Sequence, residues 1–214
     1  VAYKYHGEIK NVKTAYLGSE YNNDEIERIL ENDNYKKKFT YKFYKNDNEF
    51  FELVAKLISE GNIIGWFQGK MEFGPRALGN RSILADPSNI EMKKIINSKI
   101  KRRESFRPFA PVVLKRLQNE WFESNFSNLY MSSVTKVKKN KQSLVPAITH
   151  IDETSRIQSV DETSNKRLSF LIEEFNKIKK IPLLLNTSFN ENEPIVRKPE
   201  EALSCILRND LEYL

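Results

Sequence analysis

The most chemically distinctive stretch of the sequence is the segment FGPRALGNRSILADP, residues 73–87. It carries Arg76 and Arg81, and Gly74 and Gly79 flank the first of these arginines. Glycines permit the tight turns and close backbone approach that a phosphate-binding loop needs. The segment therefore predicts a loop that binds an anion.

Arginine is concentrated in the same part of the chain. Lysines outnumber arginines 24 to 11 overall, yet five of the eleven arginines lie between positions 76 and 107. A guanidinium forms two parallel hydrogen bonds with a phosphate or carboxylate, which a lysine ammonium cannot do. The enrichment favours oxyanion recognition, but pairing with nearby carboxylates explains it equally well. The carboxylates available for such pairing include Asp86, Glu91 and Glu104.

Two further polar clusters adjoin predicted strands. KRRESFRPFAP, residues 101–111, places its cations before one strand, and NTSFNENEP, residues 186–194, follows the end of another. Ligands of α/β sheets bind at the carboxyl ends of strands, so the second cluster is suited to phosphate, ribose or a metal-bound water. A hydrogen-bonded turn is the alternative reading of its amide and hydroxyl groups.

The hydrophobic pattern predicts the elements that hold these clusters. Apolar residues at spacings of three and four predict helices within residues 19–33, 46–62, 89–100, 165–180 and 198–210. Short apolar runs predict strands within residues 63–69, 109–114, 129–137 and 181–190. The result is one α/β domain over residues 47–214, preceded by a polar leader, residues 1–46.

Composition narrows the class of protein. The 214 residues are 39% hydrophobic and 30% charged, which is typical of a soluble globular protein, and no run of 18 apolar residues is present. Cys205 is the only cysteine, so an intrachain disulfide is excluded and a reducing cytoplasm is favoured. The net charge of +6 fits a polyanionic ligand, but ordinary solubility explains it too.

Four motifs occur in order: GPRALGNRSILADP, KRRESFRPFAP, PAITHIDETSRIQSV and PLLLNTSFNENEPIV. Together they resemble the C-terminal domain of the NodU/CmcH-type O-carbamoyltransferases, which modify nodulation factors, cephalosporins and aminoglycosides. The resemblance covers about residues 62–210. That domain is similar to the YrdC-like threonylcarbamoyl-adenylate synthases, which implies an α/β fold with a twisted, mixed, largely parallel sheet and flanking helices.

The resemblance also implies a domain organisation. Residues 47–214 would be the carbamoyl-adenylate-forming domain, and residues 1–46 a linker or the trailing edge of an N-terminal ASKHA-like domain. In the family that domain carries a metal-binding histidine cluster. We expect it to be missing from this sequence, which starts with valine and has only His6 and His150 as histidines.

The implied reaction makes carbamoyl-adenylate from carbamoyl phosphate and ATP, with release of phosphate and pyrophosphate. The N-terminal domain then passes the carbamoyl group to an alcohol. Two polyanions must meet, so arginines and Mg²⁺ are expected to neutralise them. The implied partners are these substrates and the missing domain. The family's additional metal would lie in that domain, and we predict no metal site and no membrane partner for this one.

Residue roles follow from this resemblance and from the oxyanion chemistry. The predicted catalytic residues are Lys101, Arg103, Arg107 and His150. The predicted substrate- and nucleotide-binding residues are Arg76, Arg81, Arg156, Asn186, Thr187, Ser188 and Asn190. Judged without the resemblance, a lone histidine such as His150 is more often structural. Gln68 and Glu72 either orient a ligand or belong to a surface turn.

The sequence departs from the family pattern at two positions. Glu153 and Asn192 stand where glycines are usual. The exchange at Asn192 is mild, because asparagine tolerates a positive φ, whereas Glu153 leaves the contacts of the loop after Thr149 open. A nucleotide- or RNA-binding module without catalysis is the alternative function. Nucleic acid is the less favoured ligand, because the aromatic residues lie at core spacings and no nucleic-acid-binding motif is present.

Overall fold

A five-stranded sheet forms the centre of the fold in the computed structural model, which describes residues 14–124, 126–209 and 211–214. Its strands are β1 (Ile64–Phe67), β2 (Arg81–Ala85), β3 (Ala110–Leu114), β6 (Gln158–Val160) and β7 (Leu183–Ser188), in the order β1-β2-β7-β3-β6. Two short strands, β4 (Thr135–Lys136) and β5 (Thr154–Ser155), pair separately. The predicted mixed α/β fold is confirmed.

The pairing of the strands corrects one expectation. Only β3 and β6 are parallel, whereas β1–β2, β2–β7 and β3–β7 are antiparallel, so the sheet is not largely parallel. The reason lies in the segment 81–85, which we treated as loop. Its Arg-Ser-Ile-Leu-Ala run forms a fully buried strand that turns back beside β1 and separates it from β7.

Seven α-helices surround the sheet in the described parts of the chain. They are α1 (Asn23–Leu30), α2 (Asp33–Lys36), α3 (Asp47–Ser59), α4 (Met92–Ile95), α5 (Gln118–Trp121), α6 (Glu162–Lys179) and α7 (Pro199–Asn209). A π-helical turn, Ile96–Ile100, continues α4. None of the described helices has the length and apolar character needed to cross a bilayer.

Helices α3 and α6 pack against each other, and α6 also contacts β3, β6 and β7. The Asn46 side chain accepts a hydrogen bond from the Asn48 backbone at the start of α3, and Gly61 follows its end with a φ of 95°. An asparagine before the first turn and a glycine after the last are the residue types that favour the start and the end of a helix. The helix buries Phe51 and Ile58 at 1% exposure or less, each stabilising the fold by roughly 1.5–3 kcal/mol.

Part of the polar leader is fixed to the domain. The backbone N–H of Gly18 donates to Met71 O at 2.9 Å, and that of Phe73 donates to Ala15 O at 2.7 Å. These bonds hold residues 15–19 alongside residues 71–73, directly before the glycine- and proline-rich loop. The leader therefore contributes to the surface around that loop.

Gly79 allows a close contact that a larger residue would prevent. Its φ is 99°, and an added Cβ would lie 2.2 Å from Leu168 Cδ2. Gly61 has a φ of 95° and nothing within 4 Å of the same position, which makes it a matched control.

We expect Gly79→Ala to lower the free energy of unfolding by about 2–5 kcal/mol, from left-handed strain of ~1–2 kcal/mol and overpacking of ~1–3 kcal/mol. Gly61→Ala should show the strain alone. Urea unfolding of both variants provides the measurement, and equal losses would contradict the packing argument.

Candidate anion-binding site

The glycine- and proline-rich loop closes around a carboxylate of the same chain. Glu72 is 3% exposed, and its Oε1 accepts hydrogen bonds from the backbone N–H groups of Leu78 at 2.5 Å, Asn80 at 3.3 Å and Arg81 at 3.3 Å. The loop amides that we expected to bind a phosphate therefore bind Glu72. This corrects the prediction of a backbone phosphate cradle, and also the reading of Glu72 as a residue of a surface turn.

The Arg81 side chain is bound to other parts of the chain. Its side chain is fully buried, and its guanidinium donates to the carbonyls of Gln68 at 2.6 Å and Ser19 at 3.1 Å. It also stacks 3.6 Å from the centroid of the Phe67 ring. Burial lowers the pKa of Arg81 to about 10. These contacts occupy both terminal nitrogens, while the buried Nε has no partner in the described residues. Arg81 therefore fixes the leader and the loop, and its role in binding phosphate stays a prediction.

Arg76 and Arg156 are brought together without a counterion. Arg76 is exposed at the tip of the loop, while the Nε of half-buried Arg156 is shielded from solvent and has no hydrogen-bond partner among the described residues. Burial lowers the pKa of Arg156, and the positive charge of Arg76 lowers it further. No carboxylate of the described chain lies within ion-pair distance of either side chain. Two such cations form an electrostatically unsatisfied site that an anion would stabilise.

Arg103 and His150 converge on Phe109. The Arg103 guanidinium lies 5.1 Å from the Phe109 ring centroid, and its Nε donates to Asn97 Oδ1 at 2.7 Å. Burial lowers the pKa of Arg103, with a smaller contribution from the charge of Arg107. His150 Nε2 lies 3.4 Å from Phe109 O. Arg103 is therefore a further cation without a carboxylate partner in the described residues.

The environment of His150 favours the neutral imidazole. Its Nε2 lies 3.4 Å from Phe109 O, and its Nδ1 lies 3.3 Å from Thr154 Oγ1, whose own proton is donated to Asp152 Oδ1 at 2.6 Å. Burial is the main cause of its lowered pKa, and the positive charge of Arg156 contributes in the same direction. His150 therefore lies near enough to Arg156 to feel its charge, while its Nε2 faces the backbone of Phe109, whose ring contacts Arg103.

Lys101 connects two of the sequence motifs. Its Nζ donates to Ser188 O at 2.6 Å and to Asn190 O and Oδ1, both at 2.7 Å, and the side chain is 2% exposed. Ser188 Oγ lies 3.2 Å from the same nitrogen. Burial lowers the pKa of Lys101 to about 7, and the charge of Arg103 adds to the effect. The lysine therefore orders the loop that follows β7.

The remaining predicted residues have different surroundings. Asn186 donates to Gln158 Oε1 at 2.9 Å, while its buried Oδ1 has no partner in the described chain. Thr187 is half-buried and points to the opposite face of β7. Arg107 pairs with Glu104 at 2.9 Å on the surface, as the carboxylate-pairing alternative predicts. His6 lies outside the described residues.

An apolar groove of about 320 Å³ adjoins Arg76. Its walls include Leu17 from the leader, Phe73 and Pro75 from the loop, and Tyr130. A larger groove of about 560 Å³ runs along α7, but the arginines that line it are paired with Glu201 and Glu193. The groove beside Arg76 therefore combines an apolar surface with uncompensated positive charge.

Sequence reasoning missed several polar residues of this region. They are Tyr16, Gln158 and Asn165, whose side chains form hydrogen bonds with the loop or with one another. Tyr16 and Asn165 are isolated polar residues outside the segments that we singled out for binding, and Gln158 lies in the third motif but has no predicted role. Only their positions beside the loop in three dimensions identify them.

Comparison with known proteins confirms the family resemblance. Residues 55–214 match the family model described as carbamoyltransferase C-terminus. An uncharacterised protein of Synechocystis is 41% identical over 94% of this chain and 35% of its own length. The nodulation protein NolO of Bradyrhizobium diazoefficiens is 46% identical over 75% of this chain and 30% of its own. The chain spans about a third of the length of these relatives.

Solved structures support the fold. YciO of E. coli superposes with a TM-score of 0.54 at 13% identity, covering 78% of this chain and 76% of that protein. Full-length HypF in a phosphate- and nucleotide-bound form has a TM-score of 0.53 at 19% identity, over 79% of this chain and 21% of its own. Both likenesses concern the fold alone.

Lys101→Met should destabilise the loop after β7. The change removes the ammonium group that donates to Ser188 O, Asn190 O and Asn190 Oδ1, at a cost of about 1–3 kcal/mol. Lys56→Met is the control, since Lys56 is exposed and should contribute less than ~0.5 kcal/mol. Urea unfolding of the parent and both variants gives the comparison.

The same variants test the lowered pKa of Lys101. Between the folded value of about 7 and the higher value of the unfolded chain, the unfolded state binds more protons at this site. The parent should therefore gain stability relative to Lys101→Met as the pH rises from 7 to 9. A stability difference that does not change with pH would contradict the lowered pKa.

Proposed function

Because the chain belongs to the carbamoyltransferase C-terminal family, we propose that it forms carbamoyl-adenylate from carbamoyl phosphate and ATP. The carbamoyl group would then pass to a hydroxyl acceptor at an N-terminal domain of a longer protein. The observation that carries the proposal is the pair Arg76 and Arg156, which lacks a counterion in the described chain and adjoins an apolar groove.

The proposed reaction has two steps, hydrolysis of carbamoyl phosphate and transfer of adenylate to the carbamate. One water cleaves carbamoyl phosphate to carbamate and phosphate, and a carbamate oxygen then attacks the α-phosphorus of ATP. The bond between that phosphorus and the pyrophosphate oxygen breaks, so carbamoyl-adenylate and pyrophosphate result. Charge spreads over nonbridging oxygens and the leaving group during the attack, and arginines stabilise it without proton transfer.

The site residues divide this work by position. Arg76 and Arg156 bind the phosphate groups, and the apolar groove with Tyr130 receives the nucleoside. Arg103, on the His150 side of the site, binds the carbamoyl donor. Three residues hold the loop that borders the site rather than the substrate itself: Lys101, Ser188 and Asn190.

Mg²⁺ enters with the nucleotide. No group of three or more carboxylate, histidine or cysteine residues lies within metal-binding reach in the part of the chain that the structure describes. Mg²⁺ is commonly held by substrate phosphates and water with few protein ligands. The proposal therefore has Mg²⁺ held by the phosphates of ATP.

A nucleotide ligand is part of this proposal. HypF was solved with phosphate and nucleotide bound, and its structure resembles this chain over most of the domain.

Two further predictions from the sequence stay predictions. They are the cytoplasmic location, which the single cysteine favours, and the domain limits at residues 46 and 47.

We expect Arg156→Ala to raise the Kd for a non-hydrolysable ATP analogue with Mg²⁺ by at least about tenfold. A hydrogen bond to a charged group contributes about 1.5–3 kcal/mol, and 1.4 kcal/mol corresponds to a factor of ten. Arg116→Ala is the matched control, because Arg116 pairs with Glu173 on the surface. Calorimetric titration provides the Kd values.

An unchanged Kd for Arg156→Ala would contradict the proposed site. Pyrophosphate release on addition of carbamoyl phosphate to the ATP-loaded protein would support adenylate formation. Saturable ATP binding without pyrophosphate release, in the full-length protein, would instead favour the binding module without catalysis, and RNA binding by the same surface would favour the nucleic-acid alternative.

A further inference from the structure

A tyrosine of the leader reaches the candidate site although it precedes the region that matches the family. The Tyr16 hydroxyl donates to Leu78 O at 2.8 Å and accepts from Asn165 Nδ2 at 3.1 Å. Burial raises the pKa of Tyr16 to about 12, so the phenol stays protonated at neutral pH. Its proton is therefore always available to the Leu78 carbonyl.

The Leu78 carbonyl connects the loop to the sheet through hydrogen bonds. It also accepts a hydrogen bond from Gln158 Nε2 at 2.8 Å, and Gln158 Oε1 accepts one from Asn186 Nδ2 at 2.9 Å. The N–H of the same residue, Leu78, binds Glu72. Leu78 is thus held from three directions, and the leader supplies one of them through Tyr16.

Asn165 extends this network to helix α6. Its backbone is non-helical, with a φ of −159° and a ψ of 89°, and its Oδ1 accepts from the backbone N–H of Leu168 at 3.2 Å. The side-chain amide donates to Asn80 Oδ1 at 2.9 Å as well as to the Tyr16 hydroxyl. Tyr16 therefore connects the loop residues on both sides of Gly79 to the start of the helix.

The leader also forms a wall of the groove. Leu17 faces the groove with Phe73 and Tyr130, and backbone bonds from Met71 and Phe73 fix the leader strand next to the loop. Arg76 lies two residues before Leu78. The hydrogen bonds that fix Leu78 therefore restrain the backbone of the loop from which the Arg76 side chain extends.

We infer that Tyr16 is a positioning residue for the nucleotide site, which holds the loop so that Arg76 stands beside Arg156. The inference rests on the proposed function for its consequence in ligand binding. Tyr16 itself need not touch the ligand, because it acts through the Leu78 carbonyl and the Asn165 amide. The segment before the family region is then a required part of the site.

Tyr16→Phe in the full chain removes the hydroxyl and keeps the ring. We expect faster hydrogen exchange at the amides of Leu78, Asn80 and Arg81, and a Kd for the Mg²⁺-bound ATP analogue raised by about tenfold, the equivalent of one lost hydrogen bond. Ile58→Val is the control for a general loss of stability, because Ile58 lies in the core of α3. It should leave the Kd and the exchange of these three amides unchanged.

Three results would overturn the inference. They are unchanged exchange in Tyr16→Phe, faster exchange without a change in Kd, and an equal effect of Ile58→Val. If the parent binds no ATP, the proposed function fails. In that case the exchange measurement still decides whether Tyr16 holds the loop, since it needs no ligand.

Discussion

The buried carboxylate of Glu72 sets the conformation on which the candidate site depends. One oxygen accepts three backbone N–H groups of the loop, and the other is buried without a partner in the described residues. A buried carboxylate is costly unless hydrogen bonds and a nearby cation compensate it. Arg81 supplies the positive charge, and its own pKa is raised in part by Glu72 against the effect of burial. Loop, carboxylate and arginine therefore stabilise one another.

This arrangement divides the arginines of the loop into two kinds. Arg81 points into the protein and donates hydrogen bonds to backbone carbonyls, whereas Arg76 is exposed on the same loop. The sheet then brings the other cations to the same edge. Because β2 and β3 run antiparallel to β7, their amino ends lie beside the carboxyl end of β7, where Asn186 pairs with Ala110. Arg156 precedes β6 at this edge.

Much of the fold follows from the sequence, because long amphipathic patterns and caps are local signals. The helices at 47–59 and 199–209 and the strand at 183–188 occur where the pattern predicts them, and Cys205 is buried in α7. Strand β2 was missed because glycines and arginines before it are typical of loops. The parallel or antiparallel sense of pairing depends on contacts between distant segments, so periodicity does not reveal it.

The site was predictable in its chemistry and less so in its details. The motifs contain Arg76, Arg103 and Arg156, and the assignment of these arginines to a ligand stays a prediction. However, a sequence does not distinguish an arginine that binds a ligand from one that binds the chain's own carbonyls, since both occur beside glycines. The same ambiguity explains why the sequence did not identify Glu72 as the group that the loop amides bind. An anion-binding loop and a loop that binds an internal carboxylate need the same amides and the same glycines.

A crystal structure of the chain with a non-hydrolysable ATP analogue and Mg²⁺ would show whether Arg76 and Arg156 bind the phosphates. We predict phosphate oxygens within hydrogen-bond distance of both arginines, with Glu72 still bound to the amides of Leu78, Asn80 and Arg81. A phosphate bound to those three amides, with Glu72 displaced, would contradict this prediction. The loop would then be the phosphate cradle itself, and the internal carboxylate only its occupant in the absence of ligand.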